Sequence, residues 1–256
     1  MLRKLKQKLR FLRYADPFFY VDRYLMPFLN PEKDSKKEFV INFFSAAFFA
    51  FLFYFILSVL LATSVPVSVV MSPSMEPVLY RGDVVIAAAA NLDDFAELPM
   101  VELNRNLKNT FLYEFAKPIY EESAANNLKK QIKELQIGSK RIKIEKKGPI
   151  VIYHSALLNR QIIHRAVVLL KAKDGYFVLT KGDSIYNSTI DQDCGRVFLG
   201  MPQKACITLF PVALDEIKGK LILKIPLVGC IKLWLIDDPL SLIFYGRLPE
   251  DFKGIC

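Results

Sequence analysis

Ser72 and Ser74 stand in a short stretch with Met75 and Pro77, directly behind a long uncharged apolar run. A serine hydroxyl is a weak nucleophile and needs a neighbouring base to take its proton. The chain offers only two histidines for that task, His154 and His164. His164 follows Ile162 and Ile163, a strand-like setting that can hold an imidazole rigidly. His154 sits between a strand-like run and a loop. A carboxylate behind the base would fix its tautomer. Asp183, Asp191 and Asp193 are the candidates. Asp191 and Asp193 read equally well as loop aspartates making local turn bonds.

One geometric argument favours Asp183. Asp174-Gly175 predicts a two-residue hairpin turn. With that turn Lys173 faces Tyr176, and His164 faces Ile185. Asp183 then projects from the same face as a diagonal neighbour, about 7–8 Å away between backbones. A one-residue slip would put the pair on opposite faces.

These residues need a scaffold, and the 256 residues have room for one sizeable domain or two small ones. The formal charge is +9, and residues 1–38 hold ten Lys/Arg against five Asp/Glu. No charged residue occurs between Glu38 and Glu76. About 20 apolar residues span a bilayer, so this run predicts one crossing, with 43–64 as its core. A cleaved signal peptide has a shorter apolar region of about 7–15 residues, so an uncleaved anchor is favoured. Arg81 is the only basic residue between the run and Arg105. Positive flanking charge marks the cytoplasmic side, which puts the N-terminus inside and the main domain outside. The basic charge reads as a topology signal and as attraction to anionic lipid. No basic patch interleaved with aromatics points to nucleic acid.

Residues 1–13 place leucines at helical spacing between Lys and Arg, a pattern that suits a helix on a membrane surface. Beyond the span, 65–70 and 84–86 read as strands. Residues 92–146 are polar, with helix-like stretches at 103–115 and 120–135, and are expected to form an inserted helical subdomain. From Pro149 onward the chain is β-rich, with strand character at 150–153, 161–170, 176–181, 197–199, 205–211 and 217–225. Runs such as 231–236 are too short and too charged for a second span, and suit the core or the membrane surface. Among four cysteines there is no C-x-x-C pair, so zinc is disfavoured. Cys194 and Cys206 could pair across a hairpin, or all four could be free or buried thiols.

Ser72-x-Ser74-Met75-x-Pro77, Arg81-Gly82-Asp83, His164-Arg165 and Lys181-Gly182-Asp183 occur in the order seen in type I signal peptidases. The chain resembles that family over roughly residues 40–90 and 149–230. His-Arg in place of Lys-Arg makes it similar to the archaeal and endoplasmic-reticulum branch, a Ser-His-Asp machine. The resemblance implies a mostly β fold. An antiparallel β catalytic domain of signal-peptidase type (65–91 and 147–256) would carry a helical insertion (92–146). Ahead of it would come a cytoplasmic basic segment (1–38) and one transmembrane helix (39–64).

By the same resemblance, Ser74 is the nucleophile, His164 the general base, and the Ser72 hydroxyl helps hold the oxyanion. Asp191 best matches the orienting carboxylate, with Asp183 as a bracing partner and Asp193 as a secondary candidate. The spacing departs from the family's pattern after Asp183, where Ser184 and a longer gap precede Asp191. Implied partners are signal-peptide-bearing preproteins, a lipid bilayer and the secretion translocon, with no nucleic acid. No metal or nucleotide cofactor is implied. The unusual spacing also motivates the alternative of a catalytically inactive, membrane-anchored binding module of the same fold.

Overall fold

Asp34 caps a long helix by accepting the Lys36 N–H at 2.8 Å. This helix, α1 (Ser35–Leu60), has 26 residues and is about 39 Å long at 1.5 Å per residue. The computed structural model describes residues 14, 16–122, 130–194 and 206–248. The chain divides into two units, Met1–Leu60 and Leu61–Cys256. In the first unit, the most apolar 18-residue window of α1 has a mean hydropathy of 2.3, and the helix is long and apolar enough to cross a membrane. Phe43, Phe44, Phe48, Phe51 and Phe55 are exposed around it, and a helix apolar on every side suits lipid better than water. Its charged start at Lys36, Lys37 and Glu38 is already helical, and it stops at Leu60, so it begins and ends about four residues earlier than the 39–64 expectation. The amphipathic reading of 1–13 lies outside the described residues.

The second unit is built on antiparallel strands. They are β1 (Val67–Val69), β2 (Val84–Ala88), β3 (Met100–Glu102), β4 (Ala116–Glu122), β5 (Lys130–Ile137), β6 (Lys140–Lys143), β7 (Ile150–Ser155), β8 (Arg160–Ala172), β9 (Gly175–Lys181), β10 (Val212–Ala213) and β11 (Ile217–Ile225). The main sheet runs β1-β2-β11-β7-β8-β9-β10, and β3 adds to β8 in parallel. In β2, Val85 and Ala87 are buried while Val84, Ile86 and Ala88 are half-buried, the period of two that a sheet with one covered face demands. The long strand β8 serves two partners. Its first half pairs with β7, from Ser155↔Arg160 to Ile150↔Arg165. Its second half pairs with β9, from Arg165↔Lys181 to Ala172↔Gly175.

Three expectations need correction. First, the described residues of 92–146 hold no α-helix, only two short 3₁₀ turns at Leu92–Phe95 and Leu112–Glu114. Met100–Glu102 forms β3 on the main sheet, and β4, β5 and β6 form a separate three-stranded antiparallel sheet. The Lys, Gln, Glu and Leu content of this stretch suits a helix by propensity. The Gly138-Ser139 turn wins instead: Gly138 takes φ 58, and Leu135, Ile137 and Ile142 bury on one face. Such local preferences yield to tertiary packing.

Second, the β8–β9 turn lies one residue earlier than Asp174-Gly175, since Ala172 pairs with Gly175. The Asp174 carboxylate is engaged elsewhere, accepting the Leu107 N–H at 2.9 Å and the Lys108 N–H at 2.8 Å. A bulge between Ala166 and Val168 shifts the ladder again. Arg165, not His164, therefore comes opposite the end of β9. Third, 206–211 is not a strand; the short β10 follows it. The 197–199 expectation lies outside the described residues.

Cys194 and Cys206 form a disulfide with Cα atoms 4.8 Å apart. After β11 the chain turns helical through Cys230–Lys232 and Leu233–Asp237 into α2 (Asp238–Tyr245), which ends on Gly246 at φ 66.

Candidate active site

Ser74 owes its position to what lies beneath it. β1 runs through Val70 into a single 3₁₀ turn, Pro73–Met75, and Pro73 presets the backbone at its first position. Met75 and Leu79 are each 1% exposed, in a core with Val65, Val70, Val85, Ala87, Ile150 and Ile152. Full burial of one such side chain contributes about 1.5–3 kcal/mol, so the turn is held from below while Ser74 stays half-buried at its top. The Val70 N–H donates to the Asp83 carbonyl, and the Gly82 N–H to the Val70 carbonyl, tying the turn's approach to the residues before β2.

His164 comes from the first half of β8 and is 3% exposed. Its Nε2 lies 2.9 Å from Ser74 Oγ, and its Nδ1 lies 2.7 Å from Asp191 Oδ2. Burial alone would raise the Asp191 carboxyl. The His164 charge and hydrogen bonds from His164, Thr180 and Tyr153 outweigh it and hold the group below the usual carboxylate range. An ionised Asp191 can only accept, which assigns the proton to His164 Nδ1 and leaves Nε2 to accept from Ser74. Hydroxyl, imidazole and carboxylate thus form one hydrogen-bonded line, the arrangement that activates a serine. Ser72 Oγ lies 3.1 Å from Ser74 Oγ, and both serines are half-buried.

Asp191 is held on several sides. Its N–H donates to the Thr180 carbonyl at 2.9 Å. The Tyr153 hydroxyl donates to Asp191 Oδ2 at 2.9 Å and accepts from Thr180 Oγ1 at 3.1 Å. Gln192 brackets Thr180 through both its amide nitrogen and its amide oxygen, each at 3.1 Å. Burial and the nearby Asp191 charge push the Tyr153 phenol well above its ordinary value, so it remains a donor. Tyr153, Thr180 and Gln192 escaped the sequence reading. Each is an ordinary strand or loop residue whose role exists only once β7, β9 and the following loop converge.

Asp183 does not join this line. Its carboxylate accepts from Arg165 Nε at 3.0 and 3.1 Å and from Arg165 Nη2 at 2.7 Å, a forked pair with side chains 13% and 2% exposed. This overturns the diagonal His164–Asp183 pairing, for the register reasons given above. Asp193 points elsewhere too, accepting from Thr189 Oγ1 at 2.8 Å and from the Tyr120 hydroxyl. His154 lies exposed on β7. Lys181 is half-buried at the end of β9. Burial and the neighbouring Lys146 charge lower its ammonium to about 8, against the opposing pull of Asp191 and Asp183.

The loop after β9 also touches the nucleophile turn, since the Ser184 N–H donates to the Ser74 carbonyl at 2.9 Å. Gly182 makes that approach feasible. A Cβ there would lie 2.5 Å from the Ser74 carbonyl oxygen and 2.0 Å from Asn187 Nδ2. Comparison of the chain with family models and with curated proteins gives no match.

Proposed function

We propose that this protein is a membrane-anchored serine endopeptidase of type I signal peptidase kind, in its Ser-His-Asp branch, removing N-terminal signal peptides from exported preproteins. One observation carries the reading: Ser74, His164 and Asp191 stand in line at 2.9 and 2.7 Å. The order of the four sequence boxes and the antiparallel catalytic unit support it further. Ser74 Oγ attacks the scissile carbonyl while His164 Nε2 takes its proton. The imidazolium then protonates the leaving amine, and Asp191 stabilises it throughout. The Ser74 N–H and the Ser72 hydroxyl receive the oxyanion, where one preorganised donor typically supplies about 2.7–4 kcal/mol.

The substrate is an extended peptide laid against a free strand edge. Among the described residues β1 pairs only with β2, which leaves its other edge beside the Ser74 turn to receive the peptide. α1 anchors the enzyme in the cell membrane. The basic residues before it hold the N-terminus in the cytoplasm, which puts the catalytic unit outside. The deciding experiment incubates detergent-solubilised protein with a preprotein, with Ser74→Ala alongside. Cleavage by the wild type and none by a folded Ser74→Ala is expected. Equal cleavage by both removes this mechanism, and cleavage by neither leaves the binding-module alternative.

A further inference from the structure

The sheet β4-β5-β6 packs against the segment that carries Asp191. Ile190, the residue before Asp191, is fully buried in a core with Leu112, Leu135, Ile137, Ile142 and Leu179. The Ile132 N–H of β5 donates to the Ser188 carbonyl at 2.8 Å. Gln131 Nε2 donates to the Ile185 carbonyl at 2.6 Å, and Lys146 Nζ to the Asp183 carbonyl at 2.7 Å. From β4, the Tyr120 hydroxyl lies 2.7 Å from Thr189 Oγ1 and donates to Asp193, which also accepts from Thr189. These bonds span residues 183–193 and leave the Asp191 carboxylate itself to His164, Thr180 and Tyr153.

We propose that the inserted β4-β5-β6 sheet is a positioning element for the orienting carboxylate, with Tyr120 as its positioning residue, acting on Asp191 through Asp193 and Thr189. This rests on the Ser74–His164–Asp191 reading above. A catalytic carboxylate must be held within about 0.5 Å of its productive place by neighbours that are themselves fixed. The stretch 183–193, the first part of the long connection from β9 to β10, does not supply that rigidity alone. The inserted sheet does, because it gives the loop a second wall, with a buried Ile190 and backbone and side-chain bonds on both sides of it. Asp193 is therefore the loop's anchor, which explains why it faces away from His164.

Tyr120→Phe tests the link while keeping the ring in place. The ionisable groups around His164 and Asp191 stay unaltered: Tyr153 on β7, Lys181 on β9, the Arg165–Asp183 pair, and Lys146 before β7. In preprotein cleavage, Tyr120→Phe is expected to lower kcat about tenfold while KM stays within about twofold. Combining Tyr120→Phe with Asp193→Asn should cost little beyond either change alone.

A second measurement needs no activity. In the wild type, the proton shared by His164 Nδ1 and Asp191 should give a far-downfield proton resonance, which weakens in Tyr120→Phe through faster exchange. If Tyr120→Phe does not fold, Thr189→Val reads the same link from the loop side. A folded variant with unchanged kcat, or a resonance absent from the wild type or unchanged in the variant, overturns the proposal. A wild type that cleaves no preprotein yet shows the weakened resonance in the variant upholds the positioning link and removes the peptidase reading instead.

Discussion

Arg165 takes the Asp183 carboxylate in a fork, with the shortest contact at 2.7 Å, while its neighbour His164 turns to Asp191 on the other face of β8. Adjacent strand residues point to opposite faces, so one strand serves two carboxylates with separate tasks. Arg165 Nη1 also donates to the Gly148 carbonyl at 2.7 Å, which ties the approach to β7 into the same fork.

The two aspartates should therefore fail differently. Asp191→Asn should lower single-turnover cleavage by about 10⁴, because the imidazole then favours the wrong tautomer. Asp183→Asn should instead lose stability, on the order of 3 kcal/mol, since it leaves the half-buried Arg165 without its charge partner. At low temperature, where it still folds, its cleavage rate should stay within about tenfold of the wild type. Denaturant melts beside single-turnover rates check this. A stable but inactive Asp183→Asn would put Asp183 back into the chemistry.

Gly182→Ala should damage the site without touching a reacting group. The added Cβ meets the Ser74 carbonyl oxygen at 2.5 Å, and either the loop or the nucleophile turn must move. A misplacement of about 1 Å near the chemistry can cost 10²-fold in rate. The expected result is a kcat lower by about that factor, with reduced labelling of Ser74 by a serine-directed fluorophosphonate. Labelling at the wild-type rate would mean that the loop yields and the turn does not.

The parts of the site legible in the sequence were those whose chemistry is carried by residue type. Ser74 follows an uncharged run, His164 is one of only two imidazoles, and α1 announces itself by length and hydropathy. What depends on register was not legible. The choice among Asp183, Asp191 and Asp193 turned on one bulge at Ala166/Val168 and on the turn starting at Lys173. A local pattern such as Asp174-Gly175 does not foretell that the Asp174 side chain will cap the backbone of Leu107 and Lys108. The inserted sheet was hidden for a related reason. Its helix-forming residues outweighed a single Gly138 signal, and the deciding contacts come from β8 and β9 far along the chain.

A buried ion pair links the segment between the Ser74 turn and β2 to α2. Arg81 Nη2 lies 2.6 Å from Asp238 Oδ1, with both side chains 6% exposed, and Arg81 Nη1 also donates to the Met71 carbonyl at 3.0 Å. Breaking such a pair by removing one partner typically costs about 3–5 kcal/mol. Asp238→Asn and Arg81→Met should each fall in that range by chemical denaturation. The double change should cost less than the sum of the two. Strict additivity would show that the two side chains act independently.

The last prediction concerns Lys181 and has a sign that pH can read. Burial and the Lys146 charge depress its ammonium to about 8 from the 10.5 of an exposed lysine. Between those two values the unfolded chain keeps a proton that the folded chain has lost, so this group makes stability rise with pH across that window. Below about 8 both states are protonated, and the folded state carries the full cost of a desolvated ammonium. Lys181→Met removes the charge and keeps most of the stem. It should therefore stabilise the fold at pH 7 by a kcal/mol or more, and the advantage should shrink steadily toward pH 10.5. Denaturant unfolding of both proteins at pH 7, 9 and 10.5 measures the difference directly, with the other lysines and tyrosines cancelling between them. A gain that stays constant across that range would show that Lys181 keeps its proton in the folded state and that its burial carries no such cost.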